Sequence, residues 1–338
     1  MHVPRRPLSS VTAAADELYF DIYEYAVVHE EMLKDKVRTN AYKKAILNNK
    51  QLFEDKVVLD VGCGTGILSM FAAQAGAKKV IGVDCSGIAE YAKQVVRTNG
   101  FGDKVEIIRG KIEEIELPVD KVDVIVSEWM GYFLFFESML DSVLFARDKW
   151  LVEGGVLMPD RANMHLVAIE DIEYKQDKIA FWDDVYGFDM SCVKEIVNVE
   201  PLVDVFRPDQ LCSAPEQLFS IDLNTVTENE LLDLQRRVTI PITRTKSIHA
   251  VAAYFDVEFS RSKKPVGFST GPRDKYTHWK QIAFFLDKDL MAFKKDNLDV
   301  FMKISRNGKN PRELDVLMQS KFRGSEQTIE QGKLYRIR

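Results

Sequence analysis

The segment VVLDVGCGTGI, residues 57–67, joins a short apolar run to three glycines at alternate positions. A short run rich in Val indicates a buried strand, and Gly62, Gly64 and Gly66 indicate a sharp turn that a ligand can approach closely. Residues 67–76 follow, with apolar side chains at helical period and a closing glycine. Strand, glycine turn and helix in this order predict the first unit of a parallel α/β sheet with a ligand at its edge.

Three more short apolar runs lie on the C-terminal side of this segment, at residues 79–84, 104–110 and 122–128, and they alternate with helix-like stretches. Strands that alternate with helices predict βαβ units and a parallel sheet that is covered on both faces. We therefore predict a doubly wound, Rossmann-like α/β domain over residues 41–160.

The N-terminal part of the chain lacks such strands. Residues 1–15 read as a flexible tail, and residues 16–40 as helices with Asp16 as a plausible N-cap. Tyr19 and Tyr23 stand four residues apart, so both lie on one face of a helix.

The pattern changes after residue 160, where apolar runs show partial period-2 alternation and turn residues, not helices, separate them. These runs lie at residues 237–244, 247–259, 278–287, 299–307 and 313–322. They predict a β-barrel-like domain over residues 161–338. Residues 172–206 differ again, since they read as a helical stretch that carries four large aromatic side chains, Phe181, Trp182, Tyr186 and Phe188.

Composition excludes several classes of protein. No apolar run in the 338 residues approaches the length that spans a bilayer. The four cysteines are widely spaced, and neither a disulfide framework nor a metal site is indicated, so we predict no metal and a reducing compartment. A net charge of −6 argues against nucleic acid as the main partner and is compatible with a basic one.

The glycine turn and the next two strand ends predict the cofactor. A dinucleotide fingerprint would need glycine at position 67, where this chain has Ile67. The spacing G-x-G-x-G is that of methyltransferases that bind S-adenosylmethionine. Asp84 ends the second predicted strand, where a carboxylate can accept hydrogen bonds from ribose hydroxyls. Glu113 follows the third strand and could accept from an adenine amino group; a solvated loop acid is the alternative.

The fourth predicted strand ends in SEWMGYFLFFE, residues 127–137, which carries Glu128 and Glu137 on one aromatic loop. Ligands of open α/β sheets lie beyond the carboxyl ends of the strands, so Glu128 faces the expected crevice. Aromatic neighbours would desolvate both acids at a cost unless a cation joins them. The planar guanidinium of arginine suits paired carboxylates. The alternative is an aromatic core segment flanked by surface acids.

At this point the chain resembles the protein arginine N-methyltransferases along nearly all of its length from about residue 18. The motifs that carry the resemblance are SEWMGYFLFFE (127–137), YTHWKQ (276–281), YFDIY (19–23), HEEMLKDKVRT (29–39) and VLDVGCGTG (58–66). They are most similar to the type I branch of the family, which makes asymmetric dimethylarginine. The resemblance implies S-adenosylmethionine as cofactor.

The resemblance also implies roles at matching positions. Glu128 and Glu137 would clamp the substrate guanidinium, and His278 with Asp35 would help to remove a proton. The cofactor-binding residues would be His29, Met32, Arg38, Asp60, Gly62, Gly64, Gly66, Asp84, Cys85, Lys111, Ile112, Glu113, Glu128 and Met139. The substrate-binding residues would be Tyr19, Tyr23, Met32, Met139 and Trp279. Two departures stand out, since the family commonly has Glu where this chain has Asp84, and Ile22, Glu24 and Tyr25 differ beside the tyrosines.

Partners and location follow from the same resemblance. It implies protein substrates with basic or Gly/Arg-rich segments, such as histone tails and RNA-binding proteins. It implies a homodimer in which residues 172–206 form an arm that grips a second subunit. We expect a cytoplasmic and nuclear location, with neither a membrane nor nucleic acid as a direct partner.

Four other functions remain as alternatives. An NAD-dependent oxidoreductase would share the first sheet, but Ile67 argues against it. A methyltransferase acting on nucleic acid would carry an Asn/Asp-Pro-Pro-aromatic loop where SEWM stands. A small-molecule methyltransferase, or an adaptor without activity, would keep the cofactor site but would not need both glutamates.

Overall fold

The computed structural model describes the backbone of residues 8–338 and the side chains from Ala15 onward. Residues 1–7 of the predicted tail lie outside the described residues. The chain opens with three helices: α1 (Leu8–Ile22), α2 (Ala26–Lys34) and α3 (Lys36–Leu47). Helix α1 begins inside the predicted tail, and Asp16 lies within it, so the prediction of Asp16 as an N-cap is wrong. No helix in this described part of the chain has the length and apolar character to cross a membrane.

The first domain is a five-stranded parallel sheet in the order β3-β2-β1-β4-β5. Its elements are β1 (Val57–Val61), α4 (Ile67–Gln74), β2 (Lys79–Asp84), α5 (Ile88–Thr98), β3 (Val105–Arg109), β4 (Val122–Ser127), α6 (Met139–Trp150) and β5 (Leu151–Met158). The predicted doubly wound α/β domain is confirmed. The strand order reverses beside β1, so the carboxyl ends of β1 and β4 border the crevice in which such sheets bind ligands.

The second domain consists of two antiparallel sheets. One has the order β7-β12-β10-β6-β8 with β11 on β10, and the other has the order β15-β14-β13-β9. The elements in chain order are β6 (Arg161–Ile169), α7 (Ile172–Tyr174), α8 (Lys194–Val197), β7 (Leu202–Asp204), β8 (Glu216–Asp222), α9 (Glu228–Leu231), β9 (Asp233–Pro241), β10 (Lys246–Phe259), β11 (Val266–Ser269), β12 (Gln281–Ala292), β13 (Asn297–Arg306), β14 (Leu314–Arg323) and β15 (Thr328–Ile337). This architecture confirms the predicted barrel-like domain.

The aromatic segment between β6 and β7 is less regular than the predicted helical stretch. It contains the short helices α7 and α8, one π turn at 175–179 and 3-10 turns at 180–183 and 191–193. Tyr186 is 97% exposed, and Phe181 and Phe188 are also exposed. Short turns with few neighbours leave these side chains on the surface of this subunit.

One hydrophobic core runs through both domains. Tyr42 of α3 is fully buried and meets the ring of Phe259 of β10 edge-on at 4.9 Å between centroids. The hydroxyl of Tyr42 donates to the carbonyl of Ser127, the last residue of β4, over 2.8 Å. The helices before the sheet therefore join the barrel to the end of the sheet where Glu128 follows.

Candidate active site

A cavity of about 320 Å³ lies at the carboxyl ends of the parallel strands, between them, helices α1 and α2, and the barrel. All of the site residues predicted from the sequence line it except Asp35, Asp60 and Gly66. Those on its wall are Tyr19, Tyr23, His29, Met32, Arg38, Gly62, Gly64, Asp84, Cys85, Lys111, Ile112, Glu113, Glu128, Glu137, Met139, His278 and Trp279. The fold thus brings residues from six separate stretches of sequence to one place.

The glycine turn after β1 is required by its backbone. Gly62, Gly64 and Gly66 have φ of +71°, +53° and +81°, which side chains rarely adopt, and Gly66 is the N-cap of α4. A Cβ on Gly62 would lie 2.1 Å from Cε of Met139, so the flexible end of that methionine would have to move. The glycines therefore make a close-fitting wall that an added side chain would fill.

Asp84 links the carboxyl end of β2 to the glycine turn by a hydrogen bond. Its Oδ2 accepts from the backbone N–H of Gly64 over 2.8 Å. Its Oδ1 accepts from the backbone N–H and the hydroxyl of Ser86, over 2.9 and 2.7 Å. A carboxylate has about four acceptor sites, so Asp84 retains capacity for a ribose hydroxyl. The short aspartate both orders the glycine turn and faces the cavity.

Asp60 and Glu113 each accept a hydrogen bond from a serine hydroxyl. Asp60 is buried between β1 and α4, away from the cavity wall, and its Oδ2 accepts from the hydroxyl of Ser69 over 2.6 Å. Burial raises the pKa of Asp60 to about 7. Glu113 accepts from the hydroxyl of Ser142 over 2.6 Å at the cavity wall. The structure thus places Glu113 on the cavity and Asp60 behind the glycine turn.

Glu128, directly after β4, is paired with Arg38 of α3. The Nε and Nη2 of Arg38 donate to Oε2 of Glu128 over 2.8 and 2.7 Å, and both side chains are less than 10% exposed. The third nitrogen of Arg38, Nη1, donates to the carbonyl of Met32 over 3.0 Å. All three guanidinium nitrogens of the buried Arg38 donate hydrogen bonds, so Arg38 holds Glu128 in one position on the wall.

Glu137 is the second carboxylate of the loop. Its Oε2 accepts from the hydroxyl of Tyr23 over 2.8 Å. Burial and, to a smaller extent, the negative charge of Glu128 raise the pKa of Glu137 to about 7, although the hydrogen bond from Tyr23 lowers it. Two acids on one largely apolar cavity favour a cation that can bind both.

Helices α1 and α2 cover the two glutamates. The ring of Tyr19 lies 5.0 Å from that of Tyr23, measured between centroids. Nε2 of His29, on α2, donates to the carbonyl of Tyr23 over 2.8 Å. The bend between the two helices is therefore closed by a hydrogen bond, and the tyrosine face predicted from the sequence points at the cavity.

Asp35 and His278 form a pair between α3 and the barrel. Oδ1 of Asp35 caps α3 by accepting from the backbone N–H groups of Val37 and Arg38, each over 3.0 Å. Its Oδ2 accepts from the backbone N–H of His278 over 2.9 Å and from Nδ1 over 2.8 Å. Partial burial alone would raise the pKa of Asp35, but the bonds from His278 hold it below the ordinary value. Because Nδ1 of His278 donates its hydrogen to the carboxylate, the other ring nitrogen, Nε2, is available to accept a proton.

Trp279 supports this corner of the cavity. Its indole N–H donates to the carbonyl of Met130 over 2.8 Å, and its ring stacks on Phe268 at 5.4 Å between centroids. Only 4% of Trp279 is exposed. Trp279 thus links the glutamate loop to the barrel as well as lining the cavity.

Arg312 also lines the cavity and was not among the residues predicted from the sequence. Its Nη1 donates to the carbonyl of Glu137 over 2.6 Å, across 175 residues of sequence. Its guanidinium lies 4.0 Å from the centre of the ring of Tyr19. A single arginine in a turn between two strands carries no local signal, so only the packing of the two domains could reveal it.

Comparison with known proteins agrees with this geometry. Residues 58–155 match a family model described as a methyltransferase domain, and residues 160–326 match one described as the arginine methyltransferase oligomerization subdomain. The chain is 52% identical to protein arginine N-methyltransferase 1 of Chlamydomonas reinhardtii, over 99% of this chain and 96% of that protein. It is 50% identical to the protein of the same name from Dictyostelium discoideum, over 91% of this chain and 90% of that one.

Solved structures give the same result. A chain of the Trypanosoma brucei PRMT1 enzyme–prozyme heterotetrameric complex with AdoHcy superimposes with a TM-score of 0.91 at 44% identity, covering 94% of this chain and 99% of that one. Protein arginine methyltransferase 10 of Arabidopsis thaliana superimposes with a TM-score of 0.87 at 32% identity, over 95% and 100%. The fold and the cavity are those of an S-adenosylmethionine-dependent methyltransferase. The chain belongs to the protein arginine N-methyltransferase family, and its relatives place it with the type I enzymes.

Proposed function

We propose that this enzyme methylates arginine side chains of proteins to monomethylarginine and then to asymmetric dimethylarginine. The observation that carries the proposal is the convergence of Glu128 and Glu137 on one cavity, which the glycine turn also lines. Two carboxylates there can accept hydrogen bonds from the N–H groups of one planar guanidinium.

The residues on the wall fit S-adenosylmethionine. Asp84 has acceptor capacity for the ribose, Glu113 for the adenine amino group, and Arg38 carries the positive charge for the carboxylate of the cofactor. When bound, the cofactor supplies an electrophilic methyl group.

The two glutamates have different tasks. Glu128 is held by Arg38 and gives the site a fixed acceptor. Glu137 has its pKa raised to about 7, so an arriving guanidinium lowers that pKa and draws Glu137 into its charged form. Together they hold the positive charge on two nitrogens and leave the third free to react. Fixed charges aimed at developing charge are a large source of rate enhancement.

A proton must leave the guanidinium after methyl transfer, because the group gains a bond to carbon while it is already cationic. His278 lies on the cavity wall, and Asp35 holds it with Nε2 able to accept that proton. The negative charge of Asp35 stabilises the resulting imidazolium. We assign His278 as the acceptor and Asp35 as the residue that orients it.

The two glutamates give the direct test of the clamp. Glu128→Gln and Glu137→Gln should each lower kcat on a Gly-Arg-rich peptide at least about 10²-fold, as expected for a lost transition-state interaction. Glu106→Gln, an exposed acid on β3, is the matched control and should keep normal turnover. Near-normal activity of either cavity variant would disprove the clamp.

The pocket wall supports the asymmetric product. Met32 and Met139 both line the cavity, and unbranched thioethers can make room for one methyl group beside the reacting nitrogen. The protein should be incubated with the cofactor and a Gly-Arg-rich peptide, and the hydrolysed product separated by chromatography and mass spectrometry. Asymmetric dimethylarginine should predominate, and symmetric product or arrest at monomethylarginine would contradict the proposal. Met32→Phe should shift the pattern, whereas Met291→Phe, on β12, should not.

The acidic chain, with a net charge of −6, suits basic substrates. We propose Gly/Arg-rich RNA-binding proteins and histone tails as substrates, met in the cytoplasm and the nucleus. Methylation of such peptides, but not of matched Lys-rich peptides, would support this assignment, and equal rates for both would argue against it.

Self-association is the second part of the proposal. We propose that residues 172–206 are an arm that binds a second copy of the chain and forms a homodimer. Phe181, Tyr186 and Phe188 are exposed there, and buried aromatic side chains commonly stabilise interfaces. Tyr186→Ser combined with Phe188→Ser should give monomers of low activity in light scattering. Leu232→Ser, an exposed residue elsewhere on the barrel, should leave the dimer intact. A fully active monomer would refute the arm.

A further inference from the structure

Both backbone polar groups of Glu137 are bound by one residue of the other domain. The N–H of Glu137 donates to the carbonyl of Arg312 over 2.8 Å. The carbonyl of Glu137 accepts from Nη1 of Arg312 over 2.6 Å. Arg312 lies in the turn between β13 and β14, so the barrel holds the backbone of a residue in the α/β domain at two points.

The glutamate loop needs such support. Glu137 and Ser138 have φ of +75° and +59°, a left-handed conformation that residues other than glycine rarely adopt. The hydroxyl of Ser138 also donates to the barrel, to the carbonyl of Pro311 over 3.0 Å. Backbone of this kind persists only where surrounding contacts impose it. The turn between β13 and β14 therefore imposes the conformation that aims Glu137.

The same arginine is bound to α1. Its Nε and Nη2 donate to Oδ1 of Asp16 over 2.9 and 2.6 Å, and Lys111 pairs with Oδ2 of Asp16. The guanidinium also stacks on Tyr19 of α1. Partial burial opposes ionisation of Asp16, but Lys111 and Arg312 hold its pKa below the ordinary value. Asp16 is therefore an anion at neutral pH, and it keeps the fork of Arg312 in one orientation.

We propose that Arg312 is a positioning residue for Glu137, and that Asp16 makes this positioning depend on the docking of α1 over the cavity. The inference rests on the proposed role of Glu137 in binding the substrate guanidinium. The glutamate clamp is then complete only when α1 lies in place, because Asp16 and Tyr19 both reach Arg312 from that helix. Helix α1 therefore covers the cavity and positions Glu137 in the same step.

The first measurement separates the geometry of Arg312 from its charge. Arg312→Met removes both, while Arg312→Lys keeps the charge but cannot reach Asp16 and Glu137 at once. Both should lower kcat about 10- to 100-fold, the scale of a misplaced catalytic group. Both should leave the KM for the cofactor within about threefold. In the pH profile of kcat/KM, the acidic limb should move to higher pH in Arg312→Met and stay in place in Arg312→Lys, because the charge of Arg312 lowers the pKa of Glu137.

The second measurement tests the coupling to α1. Asp16→Asn should lower kcat several-fold and speed amide hydrogen exchange in α1, and it should have no further effect on kcat in the Arg312→Met background. Lys303→Met is the matched control, because it removes an exposed ion pair with Asp233 from the same hairpin. It should leave kcat and α1 exchange unchanged. Should Arg312→Met fail to fold, Asp16→Asn with Arg312→Lys completes the same cycle.

The outcomes separate this inference from the clamp itself. If Glu137→Gln abolishes turnover while Arg312→Met keeps kcat within about twofold, the positioning role is wrong and the clamp stands. If Glu137→Gln stays active, the clamp is wrong, and positioning Glu137 cannot contribute to catalysis. Additive effects of Asp16→Asn and Arg312→Met on kcat, or unchanged exchange in α1, would overturn the coupling.

Discussion

The hydroxyl of Tyr23 donates to Oε2 of Glu137 over 2.8 Å, so a residue of α1 binds directly to a carboxylate of the proposed clamp. The two residues are 114 positions apart in the sequence. The ring of Tyr23 also lies between Tyr19 and His29, at 5.0 and 6.2 Å between centroids. The N-terminal helix is thus part of the active site and not a separate cover.

Tyr23→Phe should test this bond without removing the ring. The hydroxyl of Tyr23 stabilises the ionised carboxylate of Glu137. Without that hydroxyl the pKa of Glu137 rises, and a smaller fraction of Glu137 is ionised at neutral pH. We expect kcat/KM on a peptide at pH 7 to fall about tenfold, the effect of one hydrogen bond to a charged group. Tyr91→Phe, an exposed tyrosine on α5, is the control and should be silent. Unchanged kcat/KM in Tyr23→Phe would show that the bond has no catalytic role.

The pH dependence of the wild-type enzyme follows from the same carboxylate. Burial raises the pKa of Glu137 to about 7, and the clamp requires its ionised form. kcat/KM reports the free enzyme, so it should rise with pH through an acidic limb near 7. kcat reports the complex with substrate, in which the guanidinium lowers the pKa of Glu137, so its limb should lie at lower pH. Rate profiles over pH 5–9 would check both, and coincident limbs would argue against contact between Glu137 and the cation.

Glu137→Gln should make the protein more stable while it removes activity. The pKa of Glu137 is about 7 in the folded chain against an ordinary 4.5, so folding takes up a proton between these values. The stability of the wild type therefore falls as pH rises through this range, and the loss is complete above the folded pKa. Glutamine has no charge to bury, and we expect a gain on the order of 1–3 kcal/mol in free energy of unfolding at pH 8. At pH 4 the two proteins should unfold alike, and Glu106→Gln should show no gain at pH 8. An equal gain at both pH values would mean that the charge of Glu137 is not its cause.

Asp84→Ala should act on the cofactor more than on the chemistry. The change removes the acceptor of the Gly64 N–H and the proposed acceptor of the ribose hydroxyls. Unsatisfied partners cost about 1–3 kcal/mol, so calorimetric titration should show cofactor affinity lower by about 5- to 150-fold. Turnover at saturating cofactor should change little. Asp103→Ala, an exposed acid before β3, should bind normally. Unchanged affinity in Asp84→Ala would place the ribose contact elsewhere.

Local patterns in the sequence predicted much of the fold. The four parallel strands from β1 to β4 and five barrel strands were found from runs of apolar residues, because burial on one or both faces leaves a period in the chain. Strands β5, β6, β7, β8, β11 and β15 were missed, and β15 shows why, since its ten residues include one glycine and several charged or polar side chains. Such edge strands are held by their neighbours in the sheet more than by their own burial.

The sequence by itself also placed several side chains at the cavity. Asp84 ends β2, while the glycine turn follows β1 and the loop with Glu128 and Glu137 follows β4. The carboxyl ends of parallel strands meet at one edge of the sheet. What it could not determine was the partner of each charge. The pairing of His278 with Asp35 spans 243 residues, and that of Arg312 with Asp16 spans 296. Asp16 was predicted to be a helix cap because the chain near it offers no cation. The two cations that bind it, Lys111 and Arg312, come from the segment after β3 and from the barrel. The spacing of apolar residues along the chain indicates which face of a helix or strand is buried. An ion pair between two domains forms only after both cores have packed, because that packing fixes the distance between the two charges.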